Sequence, residues 1–375
     1  IFDPSVNPIF GVLKELGLIL LLFLIGLEFD FSHLKWHGKA AMSISLTGIA
    51  LPFALGLGLA PVMYPHLELI HDQPVSFLGF TLFMGIAMSM TAIPVLARIM
   101  LELNITRTLI GTVTISAAAV NDACGWIILA TISSIVRSEF QWTLTLLMVA
   151  ETVGFFAFML FVARPFLRKF VRAVLQRNNG EVGVNGLAVI FVVLFLCSIA
   201  TSLIGIFAIF GAFILGTVLS DEHELREAMT RQLRNFLTVF FLPIFFTYTG
   251  LRTNIGSLET GTHWLFLLGV LACAILGKLG GCSLAAKLGG FRTRESLCIG
   301  TLMNTRGLME LIVVNVGKDL GVITDSVFCL LVFMALITTV MTTPLLLWFM
   351  KGTELEPWIL SSSFVTPQPP TNPVP

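Results

Sequence analysis

The chain has 375 residues, 56% hydrophobic and 12% charged, with 22 basic and 22 acidic side chains that cancel. A water-soluble domain carries about 25% charged residues, and a neutral chain without basic clusters among its aromatics gives nucleic acid no electrostatic foothold. What remains is an all-α polytopic membrane protein built from apolar runs of about 20 residues, the length that crosses a bilayer core as helix.

Charge, Pro and Gly clusters cut the sequence into about eleven predicted transmembrane helices, near residues 9–30, 40–63, 75–98, 108–136, 142–163, 184–203, 205–219, 229–251, 263–288, 295–317 and 324–350. The pair around Gly205 is alternatively one long bent span. Residues 223–235 (HELREAMTRQLRN) are charged enough to lie along the membrane interface before their span begins. The expected membrane domain is 1–352, and 353–375, rich in Pro from Pro357 to Pro375, reads as a disordered tail. Ile1 is not an initiator and no secretory leader follows it, so the chain reads as a fragment or a processed product.

Alternate loops differ in basic charge as the positive-inside rule requires. One set holds sixteen Lys and Arg, from Lys35 to Lys351, and the other only Arg137, Arg252 and Lys318. That places the start outside and the C-terminus in the cytoplasm. Six cysteines fall in apolar stretches with no CxxC spacing and read as small packing residues. His33 and His37 share a helical face, but nothing nearby completes a metal-ligand set. No metal beyond a monovalent cation and no cofactor is expected. The spans contain no HExxH or GxSxG, so no enzyme is predicted.

An ionisable group at mid-bilayer costs roughly 2.5–3.5 kcal/mol on insertion scales and needs a reason to be there. Asp122 lies about 21 Å into the 108–136 span, in SAAAVNDACGWIILA, where small residues let another helix come close. Lys278 lies deep in 263–288. Arg306 and Glu310 sit four apart, on one face of the next span, as a structural ion pair or as part of the site. Glu151 reads as a polar packing residue facing other helices.

Two spans are interrupted at similar depth. One carries Ser89, Thr91 and Pro94, whose ring removes a backbone donor and clashes with the preceding turn. The other carries Asn304, Thr305, Arg306 and Gly307. Paired breaks in two halves point to an inverted-repeat transporter with its site between them. Carbonyls freed at the breaks would coordinate a dehydrated cation while Asp122 supplies the charge.

Seven segments occur in order: LLLFLIGLEFD, MSMTAIPVLARI, TISAAAVNDACGWIILA, FAIFGAFILGTVLS, FFLPIFFTYTGLRTN, GKLGG and MNTRGLMELIVVN. In these the chain resembles the monovalent cation:proton antiporter-2 family, most closely the plant-type exchangers and their bacterial relatives. The resemblance implies a thirteen-helix fold with inverted repeats, two crossed discontinuous helices and a homodimer. On that fold the chain would begin at the third helix. It also implies K+ or Na+ exchanged for H+, with Asp122, Asn121 and Thr91 as the ion-binding residues, Lys278, Arg306 and Glu310 as supporting charges, and Pro94, Asn304 and Gly307 at the helix breaks. Where relatives that export sodium electrogenically have two aspartates, this chain has Asn121–Asp122. The partner of Lys278 is then Asp122 or nothing, and one carboxylate makes electroneutral exchange the simplest expectation. A gated K+ efflux system and a cation channel are the alternatives.

Overall fold

The computed structural model describes residues 7–28, 38–67, 75–138, 141–177, 181–258 and 261–362. His33, His37 and the tail beyond residue 362 lie outside them. Among the described residues every regular element is helical, as expected where lipid offers no partner for a free backbone group.

In chain order the α-helices are α1 (Asn7–Glu28), α2 (Gly38–Met63), α3 (Phe77–Ser89), α4 (Ile93–Glu102), α5 (Leu109–Arg137) and α6 (Trp142–Phe158). They continue with α7 (Arg164–Arg177), α8 (Val184–Ile204), α9 (Ala208–Leu219), α10 (His223–Phe236), α11 (Leu242–Arg252) and α12 (Gly261–Ile275). The last are α13 (Gly281–Leu288), α14 (Thr293–Met303), α15 (Leu308–Asp319), α16 (Asp325–Phe349) and α17 (Glu356–Leu360). Five-residue π-helical turns, Met159–Ala163, Leu237–Phe241 and Leu276–Gly280, join α6 to α7, α10 to α11 and α12 to α13 without a loop.

Among the described residues nine helical spans are long and apolar enough to cross a membrane. The pair α14–α15, bent by 47°, makes a tenth, and the shorter apolar α9 stands where the eleventh predicted span lies. The predicted pair around Gly205 is two helices. Gly205, with φ 100°, ends α8 in the left-handed conformation that a side chain resists. The charged stretch 223–235 is not a separate helix lying before its span. It forms the first turns of a helix that runs through the Leu237–Phe241 π turn into α11.

The chain divides into two units. The first comprises Ile1–Phe31 and Ala130–Arg252. In it α1 crosses α9 at Gly26 and Gly216, where a Cβ on either glycine would meet the other helix's backbone at 2.5 and 2.3 Å. Such crossings let membrane helices gain dispersion contact that larger residues would prevent. Arg168 and Arg172 of α7 pair with Asp221 and Glu222 between α9 and α10, at 2.6 and 2.8 Å. Glu151 is exposed on α6, so it does not pack against other helices of this unit as its sequence context suggested.

The second unit comprises Ser32–Leu129 and Thr253–Pro375. It contains both broken spans and all the candidate site residues. Residues 353–362 are not the start of a disordered tail. They include α17, and Leu355 and Ile359 are fully buried in a cluster with Leu96, Met100, Leu103 and Ile110.

Candidate functional site

The first break separates α3 from α4 at Met90, Thr91 and Ala92, all buried. Pro94 stands in the first turn of α4, where a missing N–H costs nothing because first-turn amides have no helical partner. It therefore starts a half-helix rather than kinking a whole one. The second break runs from Asn304 to Gly307 between α14 and α15. Gly307 has φ 155°, and a Cβ there would meet Val95 Cγ2 at 2.9 Å. Only glycine satisfies that backbone and that contact together.

The breaks are stitched to each other. Ala92 N donates to Thr305 O at 3.1 Å, and Thr91 Oγ1 donates to Met303 O at 3.2 Å. Donating one proton leaves the Thr91 oxygen its lone pairs as acceptors. Thr339 of α16 clamps the second break, accepting from Arg306 N at 3.0 Å and donating to Arg306 O at 2.7 Å. α5 lies against the first break, since a Cβ on Gly125 would meet Met90 Sδ at 2.6 Å.

Two buried cations occupy the carbonyl end of α3. Arg306 Nη1 donates to Ala87 O at 2.8 Å and Nη2 to Met88 O at 2.6 Å. The same Nη1 reaches Glu310 Oε2 at 2.7 Å, so the predicted pair on one face of α15 forms, and it is buried. Lys278 takes the next carbonyl, donating to Ser89 O, and also donates to Gly48 O at 2.9 Å and Asn121 Oδ1 at 3.3 Å. An ammonium has three N–H donors, and here three oxygens meet them. Ser89 and Gly48 enter through main-chain oxygens, which no residue-type reading of the sequence could flag.

This arrangement revises two expectations. Lys278 goes to Asn121 and two carbonyls, not to Asp122 and not to nothing. The carbonyls of Ala87, Met88 and Ser89 do not face a cation site, because fixed positive side chains already satisfy the negative end of the α3 dipole. Asp122 is left apart from these bonds. It is 1% exposed, and its Oδ1 has no hydrogen-bond partner among the described residues. Asn121 Nδ2 and Asn304 Oδ1 are likewise buried without a partner among them. A buried acceptor left unmade is expensive, so Asp122 is chemically suited to take a proton or a small cation. No cluster of three or more His, Cys, Asp or Glu able to hold a metal ion occurs among the described residues.

Comparison with known proteins agrees with this geometry. The family described as "Sodium/hydrogen exchanger, transmembrane" matches residues 2–350. Cation/H(+) antiporter 17 of Arabidopsis thaliana is 39% identical over 350 residues, covering 92% of this chain and 42% of the plant protein. Na(+)/H(+) antiporter NhaS4 of Synechocystis is 37% identical, over 92% of this chain and 83% of its own length. K(+)/H(+) antiporter 1 of Saccharomyces cerevisiae is 31% identical, over 92% of this chain and 40% of the yeast protein. The chain thus spans less than half the length of the plant and yeast relatives. In fold it is similar to the sodium proton antiporter MjNhaP1 from Methanocaldococcus jannaschii, with a TM-score of 0.59 at 15% identity, over 96% of this chain and 88% of that one. A family match over nearly every residue, seen on a helical scaffold with two broken spans beside a buried carboxylate, places this multi-pass membrane chain in the sodium/hydrogen exchanger transmembrane family.

Proposed function

We propose that this chain exchanges a monovalent cation, K+ or Na+, for a proton by alternating access, with Asp122 holding one or the other in turn. The observation that carries this reading is a buried carboxylate beside the breaks whose Oδ1 has no partner among the described residues and to which none of their buried cations is bonded. The buried Glu310 also keeps an unpartnered Oε1 among them but is tied through Oε2 to Arg306, and Lys278 is committed to backbone and Asn121. The names of the plant, cyanobacterial and yeast relatives favour the same reading.

Proton and cation compete for one carboxylate, so each expels the other. An empty, ionised Asp122 is a desolvated carboxylate whose Oδ1 meets no donor among the described residues, and that cost penalises movement of the unloaded site. Coupling follows, because the loaded forms cross more easily than the empty one. Thr91 Oγ1 supplies a neutral oxygen of the kind that replaces a hydration shell, and Asn121 contributes through the second lone pair of the Oδ1 it shares with Lys278. Lys278 and Arg306 act as fixed charges that neutralise the end of α3. With Asn121 neutral and Lys278 held by three oxygens, one positive charge is exchanged for one, and transport is electroneutral. The loop-charge asymmetry supports a cytoplasmic C-terminus, and the family resemblance supports a homodimer.

The test is proton movement driven by a K+ or Na+ gradient in proteoliposomes at clamped voltage, with and without Asp122→Asn. Cation-dependent proton movement that ignores voltage and vanishes in the variant is the expected result. Cation flux without proton movement would replace exchange with a channel or a gated efflux system.

A further inference from the structure

The segment that follows the last long helix is built into the core of its unit. Past α16 the chain turns through Gly352, φ 73°, and buries Leu355 and Ile359 against Met100, Leu103 and Ile110. Arg294 donates to Lys351 O, and Gly352 N donates to Glu356 Oε2 at 2.7 Å, which holds the turn. Between these contacts Glu354 reaches back across 244 residues of sequence, and its Oε1 accepts from Ile110 N at 2.6 Å.

Ile110 is the second residue of α5, the helix that carries Asn121 and Asp122 about 18 Å further along its axis. The first amides of a helix have no partner within it. Thr108 takes one of them, its hydroxyl accepting from Gly111 N at 3.0 Å while its carbonyl accepts the first regular helical bond from Thr112 N at 2.9 Å. Glu354 takes a second, and it brings a carboxylate to the positive end of the helix dipole, where such a group is stabilising. A hydrophobic anchor and a charge-assisted hydrogen bond therefore act on the same helical turn from one short strap.

We propose that Glu354 is a positioning residue for the exchange site: the strap Lys351–Ser362 pins the first turn of α5 and sets the axial placement of Asn121 and Asp122. The inference rests on the exchange reading above. A helix is stiff along its axis, so a displacement at Ile110 is carried to the carboxylate. Sites of this kind tolerate only about 0.5 Å of misplacement before their chemistry suffers.

The experiment compares three variants of the full chain in liposomes. Glu354→Ala removes the acceptor, Glu354→Gln keeps an amide oxygen for Ile110 N, and Trp358→Ala alters an exposed residue of the same short helix. Glu354→Ala is expected to raise the apparent KM for the driving cation by about threefold or more, at a maximal rate per folded molecule near that of the wild type. Glu354→Gln and Trp358→Ala keep the wild-type KM. Amide exchange over residues 109–112 should accelerate about tenfold in Glu354→Ala, as expected for the loss of a charge-assisted hydrogen bond. An unchanged KM in Glu354→Ala overturns the proposal, as does an equal rise in Glu354→Gln. The amide readout does not depend on transport. Unaccelerated exchange over 109–112 removes the strap whatever the flux, whereas a wild-type protein without cation-driven proton movement removes the exchange reading and leaves the amide result standing.

Discussion

Lys278→Met isolates the contribution of the buried ammonium. Methionine fills most of the same volume but donates nothing, so Gly48 O, Ser89 O and Asn121 Oδ1 lose their partner. At about 1–3 kcal/mol for each buried acceptor left unmade, the loss is about 3–9 kcal/mol. Removing the ammonium also removes its own burial cost, several kcal/mol, which offsets part of that. The Asn121 amide can turn to find another donor, but the two main-chain oxygens cannot move. The oxygens therefore win, and the net cost is about 3 kcal/mol. At the roughly 2.1 cal/mol/K per residue of globular domains, spread over 375 residues, this lowers the melting temperature by about 4 °C. The assay is thermal unfolding of the detergent-purified variant, repeated in KCl, NaCl and choline chloride at equal ionic strength. K+ or Na+ should return part of the lost stability by entering the three-oxygen cage, which choline is too large to enter. A variant that melts within a degree or two of the wild type in all three salts would refute the reasoning, because the three oxygens would then not need the lysine.

Other outcomes follow from the same geometry. If a single proton competes with the cation at Asp122, the apparent cation KM rises tenfold for each pH unit of acidification below the site's titration point, with the maximal rate unchanged; flux titrations at several pH values measure that slope. Asn121→Asp places a second carboxylate 3.3 Å from Lys278 Nζ, an attraction of about 5 kcal/mol at an effective dielectric of about 20, and should make exchange voltage-sensitive in clamped liposomes. Arg306→Met strands Glu310 and the carbonyls of Ala87 and Met88 and is expected to cost about 3–5 kcal/mol, whereas adding Glu310→Leu recovers only the share owed to the stranded carboxylate; thermal melts of the single and double variants decide. Thr339→Val keeps the side-chain shape but removes both bonds to the Arg306 backbone, for a loss of about 1–3 kcal/mol by the same assay.

Much of the scaffold is legible in the sequence because lipid imposes one solution, the apolar helix, and marks its ends with charge. Asp122, Lys278 and the Arg306–Glu310 pair stand out because charge deep in an apolar run is costly. Pro94 and Gly307 mark the breaks because their backbones permit little else. What the sequence withholds is direction. It shows that Lys278 and Arg306 are buried, but the oxygens that receive them belong to the main chain of Gly48, Ala87, Met88 and Ser89, whose side chains are irrelevant. Thr339 is hidden for a related reason, since a threonine in LITTVMTT looks like any other small helix residue until the second break is folded against it. The strap after α16 is lost among prolines, and only tertiary contact shows that Leu355 and Ile359 have a core to enter.

Lys278 stands in the Leu276–Gly280 π turn, inside a helix otherwise continuous from Gly261 to Leu288. Such a turn holds one residue more than the α turn it replaces, so chain length and side-chain direction are coupled at this point. Deleting Gly280, whose absent Cβ would meet nothing within 4 Å, would let the turn relax to an ordinary one. The turn absorbs its extra residue locally, so the halves on either side would keep their faces and only the side chains inside it, Lys278 among them, would be re-aimed. A single-residue deletion, usually ruinous inside a helix, would here leave the helix whole and its two halves in register while turning the ammonium away from its oxygens. The direction of the charge is thus encoded by a residue count as well as by a residue type, and shortening this turn in a homologous chain would relocate the cation without any change at the lysine itself.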